Sequence, residues 1–188
     1  MGLNDSVPYK KCGTCVDGNF YFNSARSIFL YKGKLKKLVQ LFKYEKAYHL
    51  SGFFADCISG YIATEIHKDT TLVPVPLHIN KLRLRGFNQS AMICREISIK
   101  TGCNYDLFTL KKRSDTRPQV EIKSFEERQK NVRNAYYVTG RNSISGKKII
   151  LIDDVFTSGS TVNECSRVLI ENGANSVKVV TVARSVLH

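Results

Sequence analysis

The stretch at residues 149–161, IILIDDVFTSGST, constrains the fold of this chain more than any other. Four consecutive apolar residues, Ile149 to Ile152, predict a strand buried on both faces, as in a parallel sheet. Two adjacent carboxylates, Asp153 and Asp154, stand where that strand is expected to end. Thr157, Ser158, Gly159, Ser160 and Thr161 then form a turn that leads into a helix. Ligands of open α/β sheets bind beyond the carboxyl ends of the strands. The N–H groups of the following helix terminus carry partial positive charge and favour a phosphate there. Gly159 lets the backbone come close to an anion, and the hydroxyls add hydrogen bonds. The carboxylates are acceptors suited to a pair of sugar hydroxyls, and they also suit the vicinity of a divalent cation. The segment is not a Walker A loop or a dinucleotide fingerprint, because Gly-x-x-x-x-Gly-Lys and Gly-x-Gly-x-x-Gly are both absent. The bland alternative is an ordinary strand–turn–helix junction with Thr161 and Glu164 as a capping box.

The rest of the chain alternates in the same manner. Strands are expected at residues 27–31, 71–76, 106–110, 135–139 and 177–182, besides 148–152. Helices are expected from Gly33 onward, where Leu35, Leu38, Val39 and Phe42 recur at helical spacing, and at 49–66, 88–101, 125–132 and 162–172. Residues 111–123, polar and containing Pro118, read as a loop. This order predicts an α/β fold, a mainly parallel twisted sheet with helices on both faces. Residues 27–188 form that domain, and residues 1–26 form a small N-terminal appendage.

Charge narrows the function. Twenty-nine Lys and Arg against 16 Asp and Glu give +13, which attracts phosphorylated small molecules or nucleic acid. A basic surface with no polyanion partner is the competing reading. With 43% hydrophobic and 24% charged residues, wholesale disorder is excluded. No run of eighteen apolar residues exists, and no helix sets a wholly basic face against a large apolar one, so no membrane partner is expected. Residues 1–10 lack the apolar core of a secretory signal, which points to the cytoplasm and to reduced cysteines. Cys12 and Cys15 form half of a zinc site, since a structural zinc takes four ligands, commonly from two such pairs.

The acidic pair and hydroxyl turn resemble the motif of type I phosphoribosyltransferases that binds 5-phosphoribosyl 1-pyrophosphate (PRPP). Three further segments, GKLKKLVQLFKY, PVPLHINKLRLRGFNQS and DTRPQVEIKSFEERQKNVRNAYYV, are similar to the ComF family of competence-associated phosphoribosyltransferase-like proteins. The resemblance implies that Asp153 and Asp154 contact ribose hydroxyls and that Thr157, Ser158, Gly159, Ser160 and Thr161 hold the 5′-phosphate. It also implies Mg²⁺ accompanying PRPP, and a loop around residues 115–123 that covers the ligand. Members of the family carry a second Cys pair upstream. On this expectation the chain has lost half a zinc ribbon or is a shortened version of a longer one.

Arg83, Arg85, Arg117 and Lys123 are the candidates for neutralising pyrophosphate, with solvated surface charge as their alternative. Lys34, Lys36, Lys37 and Lys43, with Tyr44 beside them, suit single-stranded DNA, which is held by cationic grooves and aromatic platforms. Three functions remain open. One is a ComF-like protein with a retained PRPP site that handles incoming single-stranded DNA in natural transformation, alongside competence-machinery proteins. The others are an active phosphoribosyltransferase of nucleotide metabolism and a regulator that senses PRPP or a nucleotide. No residue commits to an acceptor or to a catalytic role.

Overall fold

A strand flanked by apolar residues on both faces needs a layer over each, and the helices between the strands supply those layers. The computed structural model describes residues 20–116, 124–140 and 143–185. The chain runs β1 (Ser24–Leu30), α1 (Gly33–Tyr44), α2 (Leu50–Ile62), β2 (Thr70–Pro74), α3 (Ile79–Arg85) and α4 (Gln89–Thr101). It continues through β3 (Asn104–Tyr105), β4 (Leu110–Lys112), α5 (Phe125–Val132), β5 (Tyr136–Val138), β6 (Lys148–Phe156), α6 (Ser160–Glu171) and β7 (Ser176–Arg184). Five strands make one sheet in the order β1-β7-β6-β2-β3, and every neighbouring pair in it is parallel. β4 and β5 form a separate antiparallel pair. The expected α/β architecture is therefore present.

Two apolar cores lie on the two faces of the sheet. One joins Phe42 of α1, Phe54 and Ile58 of α2 and Ile93 and Ile97 of α4 to Leu72, Ile150, Ile152 and Val180. The other packs α6, the end of α5 and the β4–β5 pair against Val73, Ile149, Leu151, Val177 and Val179. Alternate residues of β6 thus feed opposite cores, as the twofold period of a strand requires.

Several local expectations are corrected. Residues 79–85, where the sequence predicts no helix, form the helix α3, which Gly86 closes at φ 83°. The strand expected at 106–110 does not form, apart from Leu110 at the start of β4: Asp106 Oδ1 accepts from the N–H groups of Phe108 and Thr109 and bends the chain. Lys111 and Lys112 belong to β4 and not to a loop. The boundary expected after Arg26 falls inside β1, whose register with β7 begins at Ser24 opposite Lys178. Cys12, Cys15, Arg117 and Lys123 lie outside the described residues. Among the described residues, no helix is long and apolar enough to cross a membrane.

Candidate functional site

From β2 the chain winds outward to β3, and from β6 it winds the opposite way to β7, so the winding reverses between β2 and β6. A crevice opens at the carboxyl ends of such strands. β2 leaves the sheet after Pro74, opposite Ile152, while β6 continues against β7 as far as Phe156, opposite Arg184. Asp153 and Asp154 are therefore not at the end of β6, as the sequence suggested. They lie within it, just past the end of β2, and face a cleft of about 510 Å³.

The two carboxylates have different surroundings. Asp153 Oδ1 accepts from Ser90 Oγ at 3.2 Å and from the Asp154 N–H at 2.9 Å. Burial, and then the adjoining Asp154 carboxylate, push Asp153 up to about 7, against the pull of those donors and of Lys43. Asp154 Oδ1 lies 2.8 Å from Lys43 Nζ. Burial pulls the Lys43 ammonium down, but Asp154 and then Asp153 outweigh it, and Lys43 ends above its ordinary value.

Gly159, at φ 80°, occupies the position before the first turn of α6. Thr157, Gly159 and Thr161 line the cleft. Ser158 and Ser160, expected beside them as phosphate contacts, are buried, and their hydroxyls bond each other at 2.9 Å. They brace the turn from inside. The alternative capping box is not formed. Glu164 Oε1 accepts from the Asn134 N–H at 2.7 Å and from Arg167.

The other walls are cationic. α1 presents Lys36, Gln40, Lys43 and Tyr44 to the cleft, so the lysine-rich helix borders the acidic pair. Lys34 and Lys37 point to solvent. The lining also includes Lys81 and Arg85 of α3, Lys112 of β4, Thr116 and Tyr136. Arg83, the expected companion of Arg85, is exposed and lies outside the lining. Lys81 Nζ donates to Thr116 O at 2.8 Å, and Lys112 Nζ donates to Thr116 Oγ1 at 2.7 Å. Burial, and then the charge of Lys81, pull Lys112 down to about 8. Sequence spacing gave no sign of Lys81, Lys112, Tyr136 or Ser90, because folding alone brings them together.

The RGFNQ motif proves to be a joint. Asn88 caps α4 by accepting from the N–H groups of Ser90 and Ala91. Gln89 is buried, and its Oε1 accepts from Arg85 Nη1 at 2.8 Å. Its Nε2 donates to the carbonyls of Phe42 and Lys43 at 3.5 and 3.4 Å. The guanidinium of Arg85 lies 5.2 Å from the centre of the Tyr44 ring, a cation–π contact at the cleft mouth. One side chain thus ties the ends of α1 and α3 to the start of α4.

No group of three His, Cys, Asp or Glu side chains converges among the described residues. Mg²⁺ at the acidic pair would fit as a companion of a phosphorylated ligand that supplies most of the oxygens.

Residues 88–185 match the phosphoribosyl transferase domain family. The chain is 28% identical to the DNA utilization protein YhgH of Salmonella typhimurium, over 98% of this chain and 82% of that protein. It is 27% identical to competence protein F of Haemophilus influenzae, over 93% and 78%. With competence protein ComFC of Bacillus subtilis it shares 28% identity, over 92% and 69%.

Proposed function

The chain belongs to the phosphoribosyl transferase domain family, among its ComF-type members, and on that premise we propose that it binds PRPP or a nucleoside monophosphate and handles single-stranded DNA. The observation that carries this reading is one cleft holding an acidic pair, a glycine turn at a helix N-terminus and cations from α1, α3 and β4. Asp153 and Asp154 accept from the ribose hydroxyls. The turn at Thr157, Gly159 and Thr161 receives the 5′-phosphate on backbone N–H groups. Lys81, Arg85 and Lys112 face the pyrophosphate, and Arg117 and Lys123 remain candidates to join them. Mg²⁺ supplies charge neutralisation when it arrives with the ligand. Calorimetry of PRPP with Mg²⁺, beside single-stranded DNA on the same sample, tests the reading. If PRPP gives no heat of binding, the ribose-phosphate assignment falls. If PRPP binds and DNA does not, the enzyme and the PRPP or nucleotide sensor remain.

Affinity for PRPP should pass through a maximum between about pH 7 and 8. Below that window Asp153, raised to about 7, takes up a proton and ceases to be a pure acceptor. Above it Lys112, lowered to about 8, loses the proton that attracts phosphate. Each side should cost up to about tenfold per pH unit once the group has titrated. A flat profile from pH 6 to 9 would remove both groups from the binding step.

The DNA part of the proposal is favoured by the exposed Lys34, Lys36 and Lys37 of α1 and by Tyr44, 70% exposed at the cleft mouth. Lys43, expected among the DNA contacts, is engaged with Asp154 instead. The names of the relatives, DNA utilization protein and competence protein, favour a role with incoming strands in natural transformation. That role places the chain in the cytoplasm beside other competence proteins. Each phosphate neutralised on a single strand adds about −0.7 to the slope of log affinity against log salt. Replacing Lys34, Lys36 and Lys37 by Gln should flatten the slope by up to about 2 units. Tyr44→Ala should cost about 1–3 kcal/mol with little change of slope. Fluorescence anisotropy at several salt concentrations reads both effects. Binding insensitive to all four changes would move the DNA site elsewhere.

A further inference from the structure

We infer that Lys43 is a tethered cation that takes the place of a divalent metal at Asp154 when none is present, and therefore sets how strongly ligand binding depends on Mg²⁺. The inference rests on the ribose-phosphate reading of the cleft. Lys43 Nζ lies 2.8 Å from Asp154 Oδ1, on the side of the acidic pair that faces the cleft. Lysine is a compact point charge on a flexible stem, so it can neutralise a carboxylate as a hydrated metal does. Its backbone is fixed from two directions. Phe42 is buried against Phe54 and Phe87, and Gln89 holds the carbonyls of Phe42 and Lys43. α1 therefore stays in place when the ion pair opens, and only the Lys43 side chain moves. A ligand that brings Mg²⁺ to Asp154 displaces the ammonium, whereas a ligand without metal meets an acidic pair that is already partly neutralised.

Two arms separate this role from that of a simple phosphate contact. PRPP is titrated into the full chain across a series of Mg²⁺ concentrations, for the parent, Lys43→Met and Lys43→Gln. Mg²⁺ alone is then followed by its effect on thermal unfolding of the same proteins. With Mg²⁺ absent, both variants should bind PRPP more weakly than the parent. The Mg²⁺ needed for half-maximal affinity should fall about fivefold or more in the variants, as loss of a largely buried competing ion pair allows. Mg²⁺ alone should raise their melting temperature more than that of the parent. Weaker PRPP binding by the same factor at every Mg²⁺ concentration would make Lys43 a plain phosphate contact and overturn the inference. Unchanged binding at every concentration would overturn it as well. No PRPP binding by any of the three proteins would overturn the ribose-phosphate reading, and the inference would fall with it.

Discussion

Gly159→Val should abolish binding of PRPP and lower the stability of the whole domain. A Cβ at residue 159 would stand 2.7 Å from Phe156 Cζ, closer than real Cβ contacts come. The backbone there has φ 80°, a region that β-branched residues almost never adopt. To relieve the contact the Phe156 ring would have to swing toward the cleft that it lines. It is buried in the core beneath α6, and the Arg184 guanidinium lies 5.1 Å from its centre. Glycine is therefore required by the protein's own packing, in addition to the close approach of an anion that the sequence suggested. Backbone strain and overpacking together should cost about 3 kcal/mol or more. Distortion of the turn should reduce affinity for PRPP by more than about a hundredfold, since the N–H groups would no longer converge on the phosphate. Gly159→Ala should show the same defects in weaker form. Chemical denaturation and calorimetry measure the two losses separately. A valine variant that keeps the parent's denaturation midpoint and still binds PRPP would refute this account of the turn.

Replacing both acidic residues, as Asp153→Asn with Asp154→Asn, should remove binding while leaving the fold intact. Hydrogen bonds to a charged acceptor contribute about 1.5–3 kcal/mol each, so losing two charged acceptors predicts a fall on the order of a hundredfold or more. The stability of the two single variants should diverge. Asp153 holds its proton more tightly in the folded chain than its ordinary value of 3.8 would allow. Stability therefore declines as pH rises from about 4 to about 7, because the unfolded chain gives up that proton first. Asp153→Asn removes this penalty, and at pH 8 the variant should melt no lower than the parent. Asp154→Asn leaves Lys43 without its ion-pair partner and should melt lower. Equal PRPP affinity in the double variant and the parent would exclude these carboxylates from the site.

The acidic pair and the glycine turn were legible because they are contiguous and stand between two strong periodic signals, an apolar strand and an amphipathic helix. The length of β6 was not. Aspartates are poor strand formers, and only pairing with β7 extends the strand through them to Phe156. The short helix α3 has no buried apolar stripe and so leaves no helical signal in the sequence. Ile79 and Leu84 are both exposed, leaving its Lys and Arg residues without a helical pattern to follow. Lys43 was grouped with its neighbours on charge alone. Its ion pair joins α1 to β6, a contact that no local spacing encodes. The hydroxyls of Ser158 and Ser160 face inward for a related reason, since composition gives the turn its chemistry but not its orientation.

The strand order has a consequence for synthesis. β6 and β7 are the middle of the sheet and the last of its strands to be made. Until residues 148–184 have left the ribosome, β1 has no neighbour at all, and β2 can pair only with the two residues of β3. For most of its translation the nascent chain must carry β1 and β2 without their main partners, and the sheet-facing parts of α1, α2 and α4 uncovered. Such non-local pairing makes folding slow and leaves sticky intermediates exposed. The sheet can close only once the C-terminal β6–α6–β7 unit, which also carries the glycine turn, has been made. The candidate ligand turn thus lies in the unit against which the earlier-made strands must pair.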